Sequence, residues 1–223
     1  MPAAAEVLAS SEAIAKEAFA VAVVWHAVVA FVLWRLALGA RPSRRAAAVL
    51  VALPLVSVSA VAFAFGNPFN GVVCGALAVA LTIIGARLDD TRVRGGPGWA
   101  VIAGTLMMAL GWAYPEFVGS PSAWRYLVGA PFGLLPCPTL SFLVGASLLG
   151  SGFGSRAWSL VAAAAGLLYG LAGAFWLHVR IDLVLAAGSL LLAVVAIVAC
   201  PSDAPQQAGR ASQTPEHAGA HSV

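Results

Sequence analysis

Charge is what this chain has least of. Only 9% of its 223 residues are Asp, Glu, Lys or Arg, against about 25% in an ordinary soluble domain, and 61% are hydrophobic. A soluble fold of this size could not cover so much apolar surface, so separate aqueous catalytic domains are excluded. Lysine is reduced to Lys16, which precedes the first apolar stretch. Retinal held as a Schiff base needs a lysine within a span, and that chemistry is excluded with it. Cysteine is limited to Cys74, Cys137 and Cys200, with no C-x-x-C pair, and an odd count argues against a disulfide framework. There is no P-loop, H-E-x-x-H, G-x-S-x-G or histidine box. ATP hydrolysis and the familiar metalloprotease and esterase chemistries therefore lack their parts, and no cofactor is expected. The formal charge of +3 gathers into no basic face or aromatic-basic module, so nucleic acid is not an expected partner. No cleaved signal peptide is expected either: Glu6, Glu12 and Glu17 outnumber Lys16, and arginines rather than small residues follow the first apolar stretch.

What is present is a succession of uncharged stretches of about 20 residues, the length that crosses a bilayer as a helix. Phe19 to Leu38 is the first span, with Arg35 near enough to its end to snorkel. From Ala46 to Ala86 there is no charged residue, and Gly66-Asn67-Pro68-Phe69-Asn70 breaks the run into a hairpin, roughly 46 to 65 and 70 to 86. Gly95 to Pro115 supplies the fourth span, with Trp99, Trp112 and Tyr114 near its ends as an aromatic belt. The fifth lies within Tyr126 to Ser155, the sixth is Trp158 to Leu177, and the seventh is Leu183 to Cys200.

Placing alternate loops on opposite sides puts Arg35, Arg41, Arg44, Arg45, Arg87, Arg92, Arg94, Arg156 and Arg210 on one side. Lys16, Arg125 and Arg180 fall on the other. By the positive-inside rule the first side is cytoplasmic, and removing any one span would scramble the split. The expected fold is an all-α polytopic transmembrane helical bundle of about seven spans, N-terminus outside. Residues 1–18 form an extracytoplasmic segment, 19–200 the bundle and 201–223 a disordered cytoplasmic tail. A composition dominated by Ala, Gly, Pro and Arg suggests a bacterial genome rich in G and C, hence a bacterial inner membrane.

The fifth span carries Pro131, Pro136 and Pro138, each of which removes an N–H and clashes with the carbonyl four residues earlier. The carbonyls of Leu127, Phe132 and Leu134 would lose their partners, so this backbone must face protein or a wet cavity. Measured along a straight helix from Tyr126, Cys137 would lie about 16 Å deep, near mid-bilayer. Broken helices at that depth expose backbone groups to substrates in many transporters, which makes Pro136, Cys137, Pro138 and Thr139 candidate solute-binding residues. A plain kink satisfied by neighbouring helices is the competing reading. Gly66-Asn67-Pro68-Phe69 with Cys74 and Gly129-Ala130-Pro131-Phe132 with Cys137 share the pattern G-x-P-F-x-x-x-x-C. Turn chemistry alone favours much of that pattern.

A second candidate group sits on the outer side: Tyr114, Glu116, Arg125, His178, Arg180 and Asp182. Convergence there, with a carboxylate in ion-pair distance of an arginine, would suggest ligand capture; a solvated rim of loop charges is the alternative. His26 lies well inside the first span and is a weak candidate metal ligand with Cys74 and Cys137, against the simpler role of bonding a carbonyl across the bundle. Gly71-x-x-x-Gly75 and Gly166-x-x-x-Gly170 allow close helix packing within one bundle.

The segment Gly129 to Gly150, GAPFGLLPCPTLSFLVGASLLG, followed by Ser155-Arg156-Ala157-Trp158-Ser159-Leu160 and preceded by Tyr114-Pro115, resembles a bacterial family of uncharacterised multi-pass membrane proteins, a domain of unknown function with a P-F-G-x-x-P-C-P-T core. The resemblance covers residues 46 to 200 and implies architecture, not mechanism. Three functions stay open: non-enzymatic binding or transport of a small solute near the broken fifth span, a membrane-embedded redox or metal protein using His26, Cys74 and Cys137, and a structural or assembly subunit. The expected partners are the lipid bilayer, a small solute, and a second copy or a membrane complex.

Overall fold

The computed structural model describes residues 4–117 and 123–198. The tail expected to be disordered, with Cys200 and Arg210, lies outside the described residues. Among those described, regular structure is helical, and an isolated antiparallel bridge joins Ser43 and Arg92.

The segment before the first span, expected only as an extracytoplasmic leader to the bundle, folds as α1, Ala4–Glu17. Ala-rich composition and the Glu12–Lys16 pair, 2.8 Å apart at i,i+4, support it. Then come α2 (Phe19–Ala37), α3 (Arg44–Ala64) and α4 (Pro68–Ala86). α5 (Gly98–Trp112), a short α6 (Ala123–Gly129) and α7 (Pro136–Leu149) follow. A 3₁₀ turn at Ser151–Gly154 leads to α8 (Arg156–Leu171), which widens into a π turn at Ala172–Trp176 before α9 (Asp182–Val198).

Local chemistry sets these boundaries. Ser43, Asn67 and Ser155 accept side-chain caps from Ala46, Asn70 and Trp158 N–H at 3.2, 3.1 and 3.2 Å. Pro68 occupies the first position of α4, where its missing N–H costs nothing, and Gly66 takes φ +72 in the turn before it. The hairpin break expected at 66 to 70 is therefore found.

Among the described residues, four helices are long and apolar enough to cross a membrane: α2, α3, α4, and α8 with its π turn. The apolar helices α5, α7 and α9 are shorter, at 15, 14 and 17 residues. Val24, Phe31, Val79, Ile102, Leu106 and Ile197 are exposed on these helices, which is consistent with lipid contact. Together they suggest a membrane protein.

Helix directions alternate. At one end of the bundle three connections are tied together: Thr91 C=O accepts from Arg44 N–H at 2.8 Å, Pro42 C=O from Val93 N–H at 3.3 Å, and Leu149 C=O from Gly96 N–H at 2.9 Å. The Arg44 guanidinium also donates to Phe153 C=O and to the Asp89 carboxylate at 3.0 and 3.2 Å. The Asp89 carboxyl is held below the usual carboxylate range, chiefly by the Thr91 hydroxyl at 2.6 Å and further by Arg44. At the opposite end Ile14, Ala22, Val61, Phe65, Phe117, Leu134 and Leu135 pack together. α2, α4, α7 and α9 start at this second end.

α7 is the central helix, with 11 of its 14 residues buried, whereas α2 buries only Ala22, His26 and Val29 of 19. Glycines bring the neighbours close. A Cβ on Gly111 would stand 2.6 Å from Phe142 N and Pro138 O, and one on Gly104 2.6 Å from Gly145 O, which fixes α5 against α7. Gly71 and Gly75 face Phe63 and Ser59 of α3, and Gly166 and Gly170 face Ser189 and Ala186 of α9, so both spaced glycine pairs serve contacts inside the bundle.

Candidate functional site

The chain is not helical from Ala130 to Leu135, so the break expected from the prolines is present. Pro136 and Pro138 fall in the first turn of α7, where no intrahelical N–H is required. Pro131 C=O accepts from Leu134 and Leu135 N–H at 3.1 and 3.0 Å, and Ala130 C=O from Phe132 N–H at 2.7 Å. Thr139 closes the gap: its hydroxyl accepts from Gly133 N–H at 2.9 Å and donates to Leu135 C=O at 2.7 Å. Residues 130–136 are buried, as backbone freed by prolines must be when hydrocarbon surrounds the bundle. Thr139, expected as a solute ligand, is engaged as a staple of the break.

One expectation needs correction. The depth of about 16 Å for Cys137 assumed a continuous helix of 1.5 Å per residue. α6 stops at Gly129 and α7 starts at Pro136, so Cys137 instead occupies the second position of α7, close to the helix starts at that end.

There Cys137 comes near Asp182. The Asp182 carboxylate opens α9 at 1% exposure and accepts the Tyr114 O–H at 2.6 Å on Oδ1, and the Cys137 thiol lies within electrostatic reach of the same carboxylate. A Cβ on Gly173 would lie 1.8 Å from Asp182 Oδ2, so the π turn presents a glycine to the second oxygen. π turns within helices are frequent at functional sites. Ala130, Val179, Leu8 and Phe117 close around Tyr114, excluding water from its ring.

The outer group expected to converge is thus divided by depth. Tyr114 and Asp182 are buried together, while Glu116, Arg125, His178 and Arg180 are exposed above them. Glu116 lies within electrostatic reach of both Tyr114 and Asp182. The anticipated carboxylate–arginine pair does not form: the ion pairs among the described residues are Lys16–Glu12, Arg44–Asp89 and Arg45–Asp90. Arg125 instead stands 6.0 Å over the Phe19 ring, beside a cavity of about 330 Å³ that Lys16 also lines.

A second polar chain adjoins the first. Cys74 Sγ lies 3.7 Å from Tyr169 Oη, which donates to Asn70 Oδ1 at 3.0 Å, and both Cys74 and Tyr169 are within electrostatic reach of Cys137. The two cysteines of the G-x-P-F-x-x-x-x-C echo therefore share one region of the core. Ser141, four residues after Cys137 on the same face of α7, is fully buried, and its hydroxyl has no partner among the described residues. Asn70, Tyr169 and Ser141 were not marked as site residues by the sequence. The i,i+4 spacing of Cys137 and Ser141 was the available signal.

His26 Nδ1 faces Ala22 C=O at 2.8 Å and Nε2 faces Trp112 C=O at 2.9 Å, with the ring edge-on to Trp112 and Phe132. It ties α2 to the C-terminus of α5; both facing groups are acceptors, so a neutral ring donates to one carbonyl at a time. Among the described residues no three His, Cys, Asp or Glu side chains are grouped so as to hold a metal ion. Comparison with known proteins finds no matching family, curated protein or solved structure, so the site is read from its own geometry.

Proposed function

We propose that this chain is a non-enzymatic protein of a bacterial inner membrane that crosses the bilayer seven times, N-terminus outside, and binds or passes a small solute at Asp182 beside the broken fifth span. The observation that carries the reading is a carboxylate at 1% exposure that is bonded to a phenol, has a thiol nearby, and has no cation paired to it among the described residues. Ionisable groups within membrane bundles are expensive and mark ion and substrate pathways. Placement in the first turn of α9 offsets part of the cost, by about 0.3 to 2 kcal/mol, through the partial positive charge of the helix start. Support for the seven-span arrangement comes from the alternating helix directions and from three connections gathered at one end, two of which carry arginines while Arg156 opens α8 directly after the third.

The test is thermal unfolding of the purified full chain in detergent against a panel of small ions, amino acids and sugars. A ligand at 100 times its Kd stabilises by about 2.7 kcal/mol, a readily measured shift. The proposal expects a stabilising compound whose effect is lost in Asp182→Asn. A compound that stabilises wild type and Asp182→Asn equally overturns the placement of the site, and the absence of any stabilising compound overturns solute binding in favour of an assembly role.

A further inference from the structure

We infer that the Asp182 site takes a proton as its cation, exchanged with the outer rim through Tyr114. The inference rests on the proposed solute site and names the ion that accompanies it. A carboxylate removed from water needs a compensating positive charge, and among the described residues no cation lies within ion-pair distance of Asp182. The groups around it suit a proton better than a metal cation. Tyr114 and Cys137 each both donate and accept, the Gly173 backbone is pressed against Oδ2, and among the described residues no group of three His, Cys, Asp or Glu side chains could hold a metal ion.

Independent support comes from Ser141. The other buried helical hydroxyls, Thr139, Ser147, Ser159 and Ser189, donate to the carbonyl one turn back, at 2.7, 2.8, 3.0 and 2.8 Å. Ser141 alone among the described buried side chains leaves its oxygen without a partner, one turn beyond Cys137 on the same face. A further proton donor and acceptor therefore stands free one helical turn from Cys137.

The titratable groups facing the site are Glu116 and Tyr114 from the end of α5, Cys137 from α7, and Cys74 and Tyr169 from α4 and α8 behind it. His178 and Arg180 on the connection before α9 are exposed. The transfer is a simple exchange. Glu116, itself exposed to water, gives a proton to Tyr114 Oη as Tyr114 passes its own to Oδ1. An O–H bond forms at Asp182 for each one broken outside, and no oxidation state changes.

The experiment is a pH titration of the full chain in proteoliposomes, followed by infrared difference spectroscopy in the carboxylic-acid C=O region. The expected result is a band that gains intensity as pH falls, disappears in Asp182→Asn, changes frequency in Tyr114→Phe through loss of the phenol hydrogen bond, and shifts its midpoint to lower pH in Glu116→Gln. Replacing sodium by choline at fixed pH should leave it unchanged. A band that responds to sodium instead of pH, or the absence of any titrating band lost in Asp182→Asn, overturns the inference. A Tyr114→Phe spectrum identical to wild type overturns the relay. Solute stabilisation that survives such a negative result would leave the proposed function standing and remove only the proton.

Discussion

Replacing Thr139 by Val separates a structural staple from a solute ligand. The swap keeps the shape of the side chain and removes the hydroxyl that accepts from Gly133 N–H and donates to Leu135 C=O. Leu135 C=O keeps a longer bond from Thr139 N–H at 3.4 Å, so the principal loss is the buried Gly133 N–H, left without an acceptor. An orphaned buried donor costs about 1 to 3 kcal/mol. Gly133 cannot turn its N–H elsewhere easily: it sits at φ +75 with the Trp25 ring 2.3 Å from where its Cβ would be. Thermal unfolding in detergent should fall by about 2 to 4 °C per kcal/mol for a chain of this size, and Thr139→Ser, which restores the hydroxyl, should recover most of the loss. Equal stability of Thr139→Val and wild type, with solute stabilisation abolished, would refute the staple and make Thr139 a ligand.

Gly173→Ala should destabilise by about 1 to 3 kcal/mol, since its methyl would overlap Asp182 Oδ2, and it should weaken the Tyr114–Asp182 bond, read as a shift in tyrosine ultraviolet absorption. At the opposite end, the Asp89 carboxyl lies below its usual range in the folded chain, so its contribution is complete above the ordinary carboxylate range and is lost as pH falls through the lowered value. Acid titration of unfolding should show that component in wild type and not in Asp89→Asn. Alkaline-phosphatase fusions should be active after Asn67 or Val179 and inactive after Pro42, Arg92 or Pro201; activity after Pro201 would contradict seven crossings.

Much of the helical plan was legible because the helices differ from their connections in kind. Uncharged stretches gave α2, and Gly66-Asn67-Pro68 gave the α3–α4 hairpin, with Asn67 and Pro68 serving as cap and first residue. α1 was not legible as a helix, because mixed Glu, Ser and Ala carry no apolar stretch, and its Ile14 is buried and its Leu8 partly buried only by contacts with distant residues. The three prolines revealed the break but not its depth, since no spacing rule says how far a non-helical segment advances. The outer polar group was visible as a set. Burial of Asp182 and Tyr114 beneath an exposed rim depends on how α5, α7 and α9 meet, and that information is tertiary.

The central claim, a solute site at Asp182 beside the broken fifth span, is tested most directly at Cys137, which lies in the first turn of α7 within electrostatic reach of that carboxylate and remains partly exposed. In a chain with Cys200 replaced by Ser and Cys74 by Ala, a membrane-impermeant maleimide applied to intact cells whose outer membrane has been made permeable should label Cys137 from the periplasmic side. The compound found to stabilise the protein should slow that labelling, and Asp182→Asn should abolish the protection. Labelling only from the cytoplasmic face of inverted vesicles, or protection that persists in Asp182→Asn, would contradict the account.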